Sequence, residues 1–416
     1  ATPGAFPSQG MPKISLRLVG AFAGCCCASV KAAEVRLPPL SGEVSGVLTR
    51  FMLPGAPELR WRIEAKPAAD GWRDYTLTTD SIGSRWRATA QVDAGVNGTW
   101  RLEESEVEIG TWLAVLAPQL APSLVGLAAE GKLTVTGGGD LREGQPVGKV
   151  RIEWKDGALS DAAQGWRLDG IMLTGEFSFD AASGHWASAG PSELSVRTIT
   201  TSSFGARNFS VSATLDDKLV ATVTGGRIEI AGGEVTLEPG LVPLSPFSVD
   251  AKLKIKRVGL QDLVALVPAG LKGAHGRING EVRLMWSAAE GIQFGQGELA
   301  VGNDEPVTMT LAPAPGLLSQ SLPERFGFLP ESAGRVGRWL SIPNPAVEEL
   351  RGIELGQTDL VVQALKVRIT PDGDERGRTA SVAVTARSSQ KGSVDEISFE
   401  VNLSGPLSAL LKIGMN

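Results

Sequence analysis

Long stretches of the chain alternate strictly between apolar and polar side chains. In residues 59–66, Leu59, Trp61, Ile63 and Ala65 fall on one side, and Arg60, Arg62, Glu64 and Lys66 on the other. In 149–155, Val150, Ile152 and Trp154 alternate with Lys149, Arg151, Glu153 and Lys155. In 247–256, Phe247, Val249, Ala251, Leu253 and Ile255 oppose Ser248, Asp250, Lys252, Lys254 and Lys256. The same period returns at 86–92, 282–286 (Val282, Leu284, Trp286), 380–384 and 397–403. Successive side chains of a strand point to opposite faces, so a period of two predicts sheets with one dry and one wet face. That pattern suits antiparallel meanders better than buried parallel sheets.

Turn signals punctuate these runs about every ten residues, as in a meander, sandwich or barrel. Gly137-Gly138-Gly139-Asp140, Lys155-Asp156-Gly157, Ala231-Gly232-Gly233 and Pro371-Asp372-Gly373-Asp374 carry residues that tolerate positive φ. Helical spacing is confined to four short segments: 111–127 with a break at Pro118, 259–267, 347–353 and 407–413. A weak internal echo links WLAVLAP and the strands after it to LVALVPAGLKG and the strands after that. A repeated β unit capped by a short helix would account for it.

The N-terminal region changes where the protein is expected to act. Met11 reads as a start; Lys13 and Arg17 form a basic lead, and 18–30 is an uncharged apolar run. Small residues follow near Ala33, the layout of a secretory signal over 11–33, and the run is short for a membrane span. The expectation is a periplasmic or cell-envelope protein. The alternatives are an uncleaved N-terminal anchor, or lipidation at Cys25 in Ala23-Gly24-Cys25. Cys25, Cys26 and Cys27 are the only cysteines, so removing the signal leaves no disulfide framework and no thiolate ligand. A net charge of −6, spread along the chain, argues against a nucleic-acid partner. The 51 glycines accord with many strands and tight turns.

Candidate chemistry is sparse. His185 and His275 are far apart and lack partners at metal or triad spacing, so each reads as a surface or turn residue. Glu103-Glu104 and Asp216-Asp217 read as solvated turns. Gly295-Gln296-Gly297 leads into a strand and has no third glycine, which does not fit a dinucleotide loop. No nucleophile–base constellation emerges, so the expectation is a protein that is not an enzyme and needs no cofactor. The dry face itself is the remaining candidate. Packed against a second sheet it would form a sandwich core; curled and open it would hold an apolar ligand.

Several segments resemble the YdbH-like family, which carries an older "dicarboxylate transport" label. They are GGRIEIAGGEVTLEP (225–239), KIKRVGLQDLVALVPAGLKGAHGRINGEVRLMW (254–286), GIQFGQGELAVGNDEPVTM (291–309) and VNLSGPLSALLKIG (401–414). The family is similar to the AsmA-like and TamB-like envelope proteins. The resemblance implies an all-β fold with few short helices, in which an elongated, curled antiparallel sheet forms an apolar groove; β-sandwich domains are the alternative. It implies a protein that binds or conducts phospholipid between membranes, the alternative being a non-catalytic structural or assembly protein of the envelope. Lipid acyl chains are the expected partners, with a small outer-membrane lipoprotein as a further candidate and membrane association at one or both ends. The expected lining residues are Val150, Ile152, Trp154, Phe247, Val249, Leu253, Ile255, Val282, Leu284 and Trp286. The expected organisation is a signal at 11–33, a β-rich region at 34–218 and a YdbH-like β-groove domain at 219–416. This chain is much shorter than the family's long members. About twenty strands at roughly 4.8 Å each would reach only about 95 Å, so a partner could be needed to complete a path between membranes.

Overall fold

A computed structural model describes residues 42–48, 58–120, 125–202, 205–244, 246–264, 270–287, 291–302, 305–326, 342–371, 378–389 and 395–403. The signal-like segment at 11–33, the helix expected at 407–413 and most of the turn at 371–374 lie outside them. The chain forms two units, one of residues 1–155 and 174–191, the other of 156–173 and 192–416. The described residues are mostly strand with a few short helices, and the strand pairs set out below are all antiparallel.

The first unit begins as a sequential meander of β1 (Gly42–Leu48), β2 (Leu59–Pro67), β3 (Arg73–Ser81), β4 (Ser84–Val92) and β5 (Gly98–Glu108). Helix α1 (Ile109–Leu120) and then β6 (Leu127–Arg142) follow, and β6 pairs back onto β5. The boundary between the units falls inside β7 (Gln145–Asp161) and β8 (Trp166–Asp180), and β9 (His185–Ser188) pairs with the end of β8. Alternation explains the packing. Val92, Trp100, Leu102, Val135, Leu141, Val150 and Phe179 form one buried cluster, while their neighbours Arg87, Lys132 and Lys149 sit in exposed ion pairs with Glu103, Glu106 and Glu176. Phe179 stacks on Trp186 at 5.1 Å and lies 5.6 Å from Trp100. Where the β5–β6 ladder shifts register, the buried Ser105 hydroxyl donates to Val135 O (2.6 Å) and accepts from Val135 N (3.0 Å). A side chain thus satisfies the backbone that the bulge leaves unpaired.

Two of the expected turns are strand interiors instead. Gly137, Gly138 and Gly139 lie within β6, opposite Leu102, Arg101 and Trp100 of β5. A Cβ on Gly139 would overlap Val147 O and Gly148 Cα, and one on Gly137 would fall 2.6 Å from Lys149 O. These glycines permit close backbone approach; they do not reverse the chain. Asp156 and Gly157 lie inside β7, where Asp156 takes a positive φ of 48° and its carboxylate receives Arg197 at 2.9 Å. The site is a local irregularity in a long strand, and the Asp side chain tolerates it. Glu103 likewise sits in β5, paired with Arg87. The Ala231-Gly232 turn and the Asp216-Asp217 turn both occur as expected.

The second unit continues with β10 (Ser192–Thr200), β11 (Gly205–Leu215) and β12 (Val220–Ile230). β12 divides its free side between β13 (Gly233–Leu237) and β14 (Gly240–Pro243). β13 pairs with β15 (Ser248–Gly259), which leads into helix α2 (Leu260–Leu263); residues 265–267 of the helix expected at 259–267 lie outside the described residues. After β16 (Leu271–His275) come β17 (Arg277–Ser287), paired with β15, and β18 (Gly291–Val301), paired with β17. β19 (Val307–Leu311) pairs with β16; β20 (Arg325–Phe326) and β21 (Ile342–Pro343) form a separate small ribbon.

Helix α3 (Pro345–Glu354) then starts on Asn344, whose side chain accepts from Ala346 N, with Pro345 in the first turn. Val347, Leu350, Ile353 and Glu354 are its buried side. The chain ends with β22 (Leu360–Ile369), β23 (Ala380–Ser388) and β24 (Ile397–Leu403). β22 pairs with β19 through its first residues and with β18 through its last. That shared strand lets the sheet fold over α3 and enclose a core of Val258, Ile278, Val307, Leu350, Ile353, Leu360, Val384 and neighbours.

Candidate functional site

The ten residues expected to line an apolar face divide between the two units. Val150 belongs to the first unit's closed cluster and is 1 % exposed; Ile152 packs against that cluster. Trp154 is half-buried, and its indole N–H has no acceptor. The other seven lie on β15, on β17 or beside them, and the register places them on one face. Val249 faces Trp286, Ala251 faces Leu284, Leu253 faces Val282 and Ile255 faces Gly280. Phe247 closes onto the Trp286 ring at 5.1 Å. Neighbouring strands extend the rows: Leu237 lies opposite Leu253, Val235 opposite Ile255, and Phe294 opposite Leu284.

The opposite face of the same strands is a charge lattice. Lys254 meets Glu238 at 2.9 Å, Arg283 meets Asp250 at 2.7 Å, and Lys366 meets Glu298 at 2.7 Å. The Arg283 guanidinium holds the Asp250 carboxyl below its ordinary value, and Lys366 does the same for Glu298. These pairs are half exposed, so they favour solubility and register more than stability.

Coverage of the dry face changes along its length. At the Val258 and Ile278 end, the face is sealed by the enclosed core, against which Val235, Ile255 and Leu299 also pack. Toward the other end Leu253, Leu284, Val249 and Trp286 are only half-buried, and Phe247 is 47 % exposed. Leu237, Leu244, Phe294 and Leu219 share that open end, although their strand partners could not be read from sequence. Alternation names the dry residues of one strand but not the strand beside it.

Glu354 was not singled out by any sequence motif. Its carboxylate is 2 % exposed and accepts from Leu318 N (3.0 Å), Ser319 N (3.1 Å) and the Ser319 hydroxyl (2.8 Å). Burial pushes its pKa up, but these donors and Gly316 N outweigh burial and bring it to about 2. Both of its oxygens accept hydrogen bonds from the 316–319 loop, which gives the ionised carboxylate a structural role. Both expected histidines are exposed on strands, His185 in β9 and His275 in β16. Among the described residues, no group of three His, Cys, Asp or Glu could hold a metal, and no helix is long and apolar enough to cross a membrane.

Comparison with known families matches residues 32–322 to the YdbH-like model, described as intermembrane phospholipid transport protein YdbH. The chain belongs to the YdbH-like family. The matched span covers more than two thirds of the chain and both units contribute to it. It contains the seven residues around β15 and β17 as well as Val150, Ile152 and Trp154. α3 and β22 to β24, which complete the enclosed core, lie beyond it. No curated protein matches the chain.

Proposed function

We propose that the protein is an envelope phospholipid carrier, and that the half-covered apolar face of β13, β15, β17 and β18 is where acyl chains lie. The observation that carries this reading is the continuous row Val249–Trp286, Ala251–Leu284–Phe294 and Leu237–Leu253–Val282, dry by register yet outside the enclosed Ile353 core. Membership of a family described by intermembrane phospholipid transport supports it. So does size: Phe247 to Leu253 spans about 20 Å of strand, against roughly 15 Å for one leaflet of hydrocarbon.

The mechanism is passive. A chain crossing water exposes about 0.8 kcal/mol of apolar surface per methylene. A chain that moves from a bilayer onto Leu253, Leu284 and Trp286 trades one apolar contact for another, so exchange is nearly neutral and needs no catalytic group. Ile152 and Trp154 belong to the same proposal for the first unit; Val150 would support them from the core. A groove in cross-section, a periplasmic location and hand-over to a small outer-membrane lipoprotein are parts of this reading.

Lipid extraction and mass spectrometry on the purified protein test it, together with a photoreactive residue at Leu253 or Leu284 on the dry face and one at Lys252 on the wet face. Phospholipid should co-purify and crosslink from 253 and 284 only. Absence of lipid, or equal crosslinking from 252, would refute it.

A further inference from the structure

At the open end of the dry face, two turns of the second unit lie side by side. One joins β11 to β12 through Asp216 and Leu219; the other joins β14 to β15 between Leu244 and Phe247. Leu244 N donates to Leu219 O at 2.8 Å, and Leu244 bridges to Phe247. Leu219, Leu244 and Phe247 are 41, 42 and 47 % exposed and adjoin one another across the two turns. Leu241 is 63 % exposed, and its register opposite Thr222 puts it on the other, wet face of the sheet.

We infer that this pair of turns inserts into the interface of a phospholipid bilayer. Apolar side chains on both faces decide between occupants. A protein laid on the dry face would leave Leu241 in water, whereas an interface surrounds the tip and receives all four side chains. Trp286, packed on Phe247, adds an amphipathic ring of the kind that settles at headgroup depth. The charges fit an uncharged surface. Asp217 and Lys218 cancel, which leaves one net charge, the Asp216 carboxylate, whose Oδ1 is occupied within its own turn by Lys218 N at 3.0 Å and Val220 N at 2.8 Å. Continuity supplies the last argument: from the tip, the apolar row runs through Val249 and Leu253 without a polar break, so an inserted tip places hydrocarbon at the open end of the face. This contact lies mid-chain and goes beyond the acyl-chain reading, on which only the continuity argument rests.

Flotation with phosphatidylcholine vesicles tests it, using the full chain, the triple variant Leu219→Ser/Leu244→Ser/Phe247→Ser, the single variant Leu241→Glu and a control, Leu317→Ser, whose side chain is exposed elsewhere. The wild type and control should float, insensitive to salt. The triple variant should float at least tenfold less, and Leu241→Glu should also lose binding, with far-ultraviolet circular dichroism unchanged. Failure of the wild type to float, equal flotation of the triple variant and wild type, retention by Leu241→Glu, or loss of binding in high salt would each overturn the inference. If the triple variant misfolds, Leu241→Glu alone decides. Co-purifying phospholipid is scored separately. Lipid without flotation removes the bilayer contact and leaves the carrier reading; flotation without lipid does the reverse.

Discussion

Replacing Glu354 by Gln keeps the size and one acceptor but removes the charge that four donors surround. Its pKa of about 2, against 4.5 for the free side chain, corresponds to about 3 kcal/mol of differential stabilisation of the ionised form. The sign follows from a lowered folded-state value. Above about pH 4.5 the carboxylate is ionised whether folded or not, and the full contribution is present. As pH falls from about 4.5 to 2, the unfolded chain takes up a proton that the folded chain refuses, and the contribution is lost. Urea unfolding followed by hydrogen exchange of peptides from 312–322 and 345–354 reads this locally. At pH 7 Glu354→Gln should lower protection of both peptides by about two orders of magnitude. The gap from wild type should narrow steadily below pH 4.5 and be mostly gone near pH 2. An unchanged gap across that range would show that the carboxylate's charge is not what holds the loop.

Ile353→Ala should cost about 2–5 kcal/mol in urea unfolding of the second unit, because the side chain is 0 % exposed and its removal leaves a cavity. Gly139→Ala should destabilise the first unit by about 2 kcal/mol or more, seen as a lowered thermal midpoint, since the added methyl meets Val147 O and Gly148 Cα. Asp250→Asn should cost less than about 1 kcal/mol at pH 7, because the Arg283 pair is half exposed, and added salt should shrink even that difference.

Much of the strand content was legible because period-two patterning is a local property. Residues 59–66, 86–92 and 397–403 became β2, β4 and β24 with little change at their ends. The helical spacing of Val347, Leu350 and Ile353 is equally local, and α3 forms there. The turns at 137–140 and 155–157 were misread because glycine serves two physical ends. It permits positive φ, and it permits strands to approach; only the neighbouring strand tells which applies. The candidate face was legible as a set of dry residues, but not its boundary. Where the enclosed core stops depends on β22 pairing with both β18 and β19, a contact between residues more than fifty positions apart. Glu354 was invisible because its partners are mostly backbone N–H groups, which every sequence has.

The meander of the first unit has a consequence for how such proteins can vary in length. From β1 to β6 each strand pairs with its neighbour in sequence, so the contacts that secure a strand are largely those of the hairpins on either side. Inserting or deleting one hairpin would change the ladder by two strand spacings, about 10 Å, without requiring a new core. The length of this ladder would therefore change in discrete steps of one hairpin.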